Sequence, residues 1–517
     1  MKNIRYILLA ALVSVSCGKT FLDKEPQDAL PASFVLGTEE GMEILLNGAY
    51  AQMQSSGYYG GLLYLYEAAK GPDFFVRNVS GGYSFYTENR YAESSTYNGN
   101  ARTLWVTIYN IIRNTTVLIE TIDEVPGDTD NLRRIKGEAY ALRGLAYFDL
   151  CRLFAYPPKY SCTWGSAYNE SFKWGVPILE SADMSYNILD YKVRRSTADV
   201  TWNYVAEQFE NAGRLLEGHF ADNGHAGAAA VLALRSRVAL YMEDYDSVIS
   251  LCKEWLRTYS SSYSMLDYDS YRSQYHKPFN SESVWEIKYT ESDNLSSNAI
   301  NYWVRRPTYN MPGNPLDGEV SENIGYAKLG LTYGNALNGY ESMNSYSADI
   351  RRSLVCSMGI NGKDYHTVRK YVGDPYHFVH NVPVVRLPEI YLNLAEACYM
   401  QGDVTGAVEN LSVLTRVRRK ADASVSSLNN ILNERRREFI LEGQTYWDFF
   451  RNGRNITGRP IMESISSSSS IKFGNPTGLS YRVVYPIPLS EMNANEAIRD
   501  QQNPGYADWK FGVEDEN

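Results

Sequence analysis

Three carboxylates, Glu434, Glu438 and Glu442, stand at four-residue spacing among Arg435, Arg436 and Arg437. Two of them on one helix face would be the raw material of glycoside hydrolysis, which needs a pair of carboxyl groups flanking the scissile bond. The same composition has a plainer use. Glu and Arg three or four apart pair along a helix, and guanidinium groups tie neighbouring helices together through two-pronged contacts, so we read the segment as scaffold. Six histidines are scattered singly with no Ser or Asp partner, and there is no glycine-rich phosphate loop. No Cys or His pair has zinc-ligand spacing and no loop has that of a calcium site. The chain is therefore read as cofactor-free, loop carboxylates being the one place where a structural calcium ion would sit.

One cysteine stands in a different chemical setting. Lys2 and Arg5 precede the apolar run Tyr6 to Val13, too short to span a bilayer, and the run ends in Ser14-Val15-Ser16-Cys17. Residues 1–16 read as a lipoprotein signal peptide and 17–26 as a tether, with Cys17 the lipid anchor in a membrane surface. Ser14 departs from the larger aliphatic residue common three places before such a cysteine. The competing reading is ordinary cleavage near Ser16 with a free thiol. Several acyl chains, each buried methylene worth about 0.8 kcal/mol, would hold the protein without a transmembrane helix.

The formal charge of -10, from 50 basic and 60 acidic side chains, leaves no electrostatic footprint for nucleic acid. Cys151, Cys162, Cys252, Cys356 and Cys398 are odd in number and widely spaced. A disulfide framework is not expected, and a single bridge such as Cys151 to Cys162 is the most that this spacing suggests.

The elements that must position any site are helical. Apolar residues recur at helical spacing from Gly137 to Ala155. Ala228 to Met242 and Tyr245 to Tyr259 flank only Glu243-Asp244, a connection that demands antiparallel neighbours. About 160 residues later, Leu387 to Met400 and Val404 to Arg419 flank Gln401-Gly402-Asp403 in the same way. Small residues at the close-approach positions and large ones in the groove give both copies the look of a tetratricopeptide-type pair. Residues 27–260 and 386–517 read as the helical parts and 261–385 as a loop-rich variable region. The five-serine run Ser466 to Ser470 reads as a surface loop.

Many of the tyrosines and tryptophans fall in tracts without helical periodicity, residues 55–100 and 260–385. Aromatic faces flanked by planar polar groups suit sugars, whose C–H faces stack on rings while their hydroxyls need partners. On placement and composition, the candidate ligand residues are Asp73, Arg77, Tyr83, Phe85, Tyr86, Arg90 and Tyr97 from the first tract and Trp303, Arg305 and Tyr309 from the second. Trp105 and Tyr109 begin a helical pattern and read as core.

The strongest signatures are Val382-Pro383-Val384-Val385-Arg386-Leu387-Pro388-Glu389-Ile390-Tyr391-Leu392, then Asn433 to Arg451, Tyr485-Pro486-Ile487-Pro488, and Gln502-Asn503-Pro504-Gly505-Tyr506. With Tyr156-Pro157-Pro158, Gly175-Val176-Pro177-Ile178 and Phe21-Leu22-Asp23-Lys24-Glu25-Pro26, they resemble the SusD/RagB family of Bacteroidetes surface lipoproteins. The resemblance implies a mainly α fold, with about four tetratricopeptide-like helix pairs carrying a loop-rich ligand-binding part. It further implies a non-catalytic protein that captures oligosaccharides, or peptides in the RagB branch, for a SusC-like TonB-dependent transporter, and that the membrane holding Cys17 is the outer membrane. The motifs carry over architecture and partner, not ligand identity.

Overall fold

The computed structural model describes residues 30–76, 85–97, 99–181, 193–221, 224–304, 329–331, 349–360, 363–368, 370–371, 379–461, 464–471 and 478–506. Cys17, Arg77, Tyr83, Arg305 and Tyr309 lie outside the described residues. Helices dominate: α1 (Glu39–Gln54), α2 (Leu62–Lys70), the single turn α3 (Tyr86–Asn89), α4 (Gly99–Thr121), α5 (Thr129–Phe154), α6 (Ala198–Leu215), α7 (Ala228–Tyr241), α8 (Tyr245–Tyr259), the short α9 (Ile300–Val304), α10 (Leu387–Met400), α11 (Val404–Arg419), α12 (Leu428–Glu438) and α13 (Thr445–Arg451).

These helices stack in sequence. The pairs α1 with α4, α5 with α6, α7 with α8 and α10 with α11 each pack internally, and α4 with α5, α6 with α7 and α8 with α10 join them. The arrangement is consistent with the tetratricopeptide-type scaffold expected from the two degenerate copies. Both copies start their second helix the same way: Asp244 accepts from the Ser247 N–H and Asp403 from the Gly406 N–H, satisfying donors that a helix start leaves open. The apolar faces merge into one core containing Trp105, Phe148, Trp202, Trp255 and Trp447. No described helix is long and apolar enough to cross a membrane.

Strands are few and short. β1 (Phe74–Val76), β5 (Leu329–Leu331), β7 (Lys363–Val368) and β6 (Val355–Ile360) form one sheet in that order, all antiparallel. Three two-stranded ribbons complete the described set: β2 (Trp174–Pro177) with β3 (Arg195–Thr197), β4 (Ser283–Ile287) with β8 (Val382–Arg386), and β9 (Ile456–Ile461) with β10 (Ser464–Ile471). The last of these corrects the reading of Ser466 to Ser470 as a loop, since they lie within β10, with Ser468 opposite Pro460 and Ser469 opposite Arg459. Strand pairing uses main-chain groups that every residue carries, so composition alone misjudged the run.

The C-terminal motif acts as a staple. Asn503 donates to the carbonyls of Phe154 at 2.8 Å and Tyr485 at 2.7 Å, and accepts from Arg195 Nη1 at 2.9 Å. Gly505 turns the chain at φ +81°, and the Tyr506 hydroxyl reaches the Val484 carbonyl. Arg195 is buried among neutral acceptors, the carbonyls of Gly175, Gln501 and Phe154. Burial brings its guanidinium down to about 9. Cys151 and Cys162 are both buried free thiols, so the single bridge suggested by their spacing is not formed.

Candidate functional site

The carboxylates that opened the question of catalysis are resolved by their partners. α12 ends at Glu438, and Leu441 takes φ 59°, so Glu442 sits in a turn, off the helix on which its spacing placed it. All three carboxylates are buried. Arg351 reaches Glu434 at 2.6 Å and Glu438 at 3.1 Å; Arg418 and Arg386 also converge on Glu438; Arg386 and Lys370 hold Glu442. Burial alone would raise the Glu438 carboxyl, but Arg418, Arg386 and Arg351 outweigh it and hold the group well below the usual carboxylate range. A glycosidase acid needs the opposite, a carboxyl kept protonated near neutrality. The trio is a clamp that joins α11, α12 and β8 to the segment carrying Arg351.

The two aromatic tracts meet. Phe85 and Trp303 lie edge to face with ring centroids 5.4 Å apart, a favoured geometry for such pairs. At the other ends of the same tracts, Val76 is the register partner of Leu329 in the β1–β5 pair. The chain between Val76 and Phe85 and the chain between Val304 and Leu329 therefore start and finish side by side. Both contain candidate ligand residues, Arg77 and Tyr83 in one and Arg305 and Tyr309 in the other.

One helical turn decides which side chains face out. Phe85 enters α3 in the left-handed region, φ 57°, and is itself buried. Tyr86 and Arg90, four residues apart and hence on one side of the turn, are exposed; the Tyr86 ring is 39% accessible. Arg90 Nη1 donates to the Tyr86 hydroxyl at 2.8 Å, and the guanidinium carbon lies 5.1 Å from the ring centroid. The pair presents a planar cation and a phenol to solvent.

Glu88 and Asn89 point the other way and anchor the turn. The Glu88 Oε1 atom accepts from Tyr97 at 2.6 Å, Asn100 at 2.8 Å and Tyr485 at 2.9 Å, while Asn89 donates to the Ala69 carbonyl at 2.8 Å. Below them the Lys70 ammonium pairs with Glu93 and sits 4.3 Å from the Tyr91 ring centroid. Burial raises the Glu93 carboxyl to about 7, although Lys70 opposes it. Sequence reading missed Glu88, whose available signal was an acidic residue inside a tract rich in aromatic side chains, and read Tyr485 only as part of a motif, without this contact.

Two further candidates are held by the scaffold. Asp73 is only 3% exposed and is clamped by Arg436, Nε to Oδ1 at 2.9 Å, so it joins β1 to α12 and offers no hydrogen-bonding edge at the surface. Tyr97 is half-buried, stacked on Tyr485 at 6.0 Å, and burial together with Glu88 pushes its phenol up. Trp105 is core as expected, its Nε1 donating to Glu491 at 3.3 Å, and Tyr109 packs against the core as a half-buried neighbour. Among the described residues, no group of three His, Cys, Asp or Glu side chains is placed to hold a metal ion.

Comparison with known proteins gives this arrangement its family. Residues 20–240 match a SusD-like model described as starch-binding associating with outer membrane, and residues 300–506 match the model of the SusD family. The SusD-like protein P38 of Formosa agariphila is 23% identical over 88% of this chain and 93% of its own length. The starch-binding protein SusD of Bacteroides thetaiotaomicron is 31% identical over 28% of this chain and 25% of its own. A crystal structure of a SusD superfamily protein from the same bacterium superposes with a TM-score of 0.75 at 27% identity, covering 90% of this chain and 100% of that one. Two family models that together cover most of the chain, and a solved fold matching 90% of it, place the chain in the SusD/RagB family.

Proposed function

We propose that the protein is a non-catalytic, lipid-anchored cell-surface protein that captures oligosaccharides and passes them to a SusC-like TonB-dependent outer-membrane transporter. The observation that carries this reading is the junction of the two aromatic tracts, pinned at Phe85 with Trp303 and at Val76 with Leu329. It brings together segments remote in sequence, next to the exposed Tyr86 ring and Arg90 guanidinium, groups of the kind that stack on a sugar face and bind its hydroxyls. The starch-binding description of the matching family model and the name of the partial relative from Bacteroides thetaiotaomicron support an oligosaccharide over a peptide. The outer-membrane wording of that model supports the location, with Cys17 as the anchor.

The reading predicts binding without turnover. Isothermal titration against starch- and laminarin-derived oligosaccharides, with product analysis of the same mixtures, tests both halves. Released shorter sugars would overturn the non-catalytic claim. Affinity for peptides with none for any glycan of a broad array would move the ligand to the other branch of the family.

A further inference from the structure

A second polar cleft lies on the scaffold, built around His225. Its Nδ1 is 2.8 Å from Oε2 of Glu138, a carboxylate of α5 whose side chain is 1% exposed. That oxygen also accepts from the Tyr50 hydroxyl of α1 at 2.6 Å, and Oε1 accepts from Arg134 at 2.6 Å. Tyr50 in turn accepts from the Ala226 N–H at 2.9 Å, and its ring lies 4.3 Å from the imidazole. Burial pushes the Glu138 carboxyl up, but His225, Tyr50 and Arg134 together hold it below its ordinary value. A carboxylate at Nδ1 fixes the orientation of the ring and leaves Nε2, on a side chain 27% exposed, as the nitrogen that can exchange a hydrogen bond with a ligand hydroxyl.

Two depressions meet at Gly224 and His225. One, of about 280 Å³, lies along the α1 face that carries Asn47, Tyr50 and Gln54, and is closed by Ile287, Lys288 and Thr290. The other, of about 230 Å³, is lined by Ser262, Tyr263, Asn280, Ser281 and Ser283. Lys288 and Asp293 put opposite charges in the first. Glu286 in the second is already engaged by the Phe279 N–H at 3.0 Å, Ser283 at 2.5 Å and Asn381 at 2.8 Å. Lys288 is offset by Asp293, and the Glu286 carboxylate is occupied by its three donors, so little charge is left to draw an ion, and the surface has too many amides and hydroxyls to suit an apolar ligand. What it matches is a neutral, polyhydroxylated ring.

We propose that His225 is the shared hydrogen-bonding group of a second saccharide-binding cleft with two adjoining subsites, where a sugar hydroxyl pairs with Nε2 and the amides and hydroxyls on either side bind the neighbouring hydroxyls. The inference rests on the reading of the chain as an oligosaccharide-binding protein, yet it shares no residue with the Phe85–Trp303 surface.

The test uses the full chain and the methyl glycosides of glucose, galactose, mannose and xylose as probes. Imidazole resonances are followed by NMR, with His225→Gln assigning one of the six histidines. The expected result is a saturable shift of the His225 signal with at least one probe, retained in Trp303→Ala. Asn47→Ala, an exposed change on α1, should weaken that binding roughly tenfold with the fold intact. No His225 shift with any of the four sugars overturns the cleft. A shift that disappears in Trp303→Ala also overturns it, since the sugar would then sit on the aromatic surface. Failure of the primary reading shows separately, as absence of oligosaccharide affinity sensitive to Trp303.

Discussion

Arg386 meets Glu442 fork to fork, Nε to Oε2 at 2.9 Å and Nη2 to Oε1 at 2.8 Å, while its Nη1 turns to Glu282 and Glu438, both at 3.0 Å. One guanidinium on β8 thus hydrogen-bonds three buried carboxylates, sharing their neutralisation with Arg418, Arg351 and Lys370. Removing it leaves those charges short of a partner where water does not reach. Arg386→Met should cost about 3 to 5 kcal/mol, and Arg386→Lys a large part of that, because an ammonium cannot span the fork. Urea unfolding monitored by circular dichroism measures both. A loss below about 1 kcal/mol for the Met variant would deny the clamp its role.

Glu67 on α2 gives the stability a pH dependence. It is 2% exposed, it accepts the Tyr446 N–H at 2.9 Å, and its Oε2 has no partner among the described residues. Burial raises this carboxyl from 4.5 to about 8. Below pH 4.5 both folded and unfolded chains hold the proton, so the contribution is intact. Between 4.5 and about 8 only the folded chain holds it, and stability falls as pH rises through that window. Glu67→Gln should therefore be more stable than the parent at pH 8 by a few kcal/mol, the gap closing toward pH 4.5. Thermal melts at a series of pH values read the difference, and parallel curves would refute it.

Gly443 occupies φ 68°, and a Cβ built there would lie 2.6 Å from Cε1 of Tyr64. Its carbonyl also accepts from Arg152 at 2.9 Å. Gly443→Ala combines a left-handed backbone with a ring clash and should cost about 2 kcal/mol or more. A change in midpoint at constant denaturant slope would show that the cost is borne by the folded state.

On the aromatic surface, Trp303→Ala should weaken oligosaccharide binding roughly tenfold, and Tyr86→Ala by a smaller factor, since Trp303 loses both a stacking face and the support of Phe85. Titration calorimetry supplies the affinities, and a melting temperature confirms folding. Unchanged affinity in both variants would remove this surface from the reading.

Cys17→Ala should release a chain that still binds its ligand. Fractionation decides: if the variant remains with the outer membrane in cells lacking the transporter, the anchor is elsewhere.

Much of this architecture could be read before any coordinates. The pair Leu387–Met400 and Val404–Arg419 was legible because a three-residue connection with an Asp cap permits only one arrangement of two amphipathic helices. Glu442 was legible in kind but not in place. Its spacing from Glu438 continues a helix that φ 59° at Leu441 has already ended, and its partners Arg386 and Lys370 come from distant segments. Asp73 was misplaced for the same reason. A carboxylate in a Gly- and Tyr-rich tract reads as exposed, and nothing local reveals that Arg436, 363 residues away, folds back onto it. Short-range pattern fixes helices, whereas the burial of a charge is decided by which remote cation arrives.

The paired endpoints of the two aromatic tracts have an evolutionary meaning. Val76 with Leu329 and Phe85 with Trp303 act as two rivets that fix the ends of both intervening segments on the scaffold. Closing a longer loop on fixed ends adds little entropy cost, about 0.6 kcal/mol per doubling of length. Whatever lies between the rivets can thus be shortened, extended or rewritten without disturbing the helical stack. The molecule is in this sense a handle with two riveted cassettes, whose replacement would leave the rivets and the helical stack as they are.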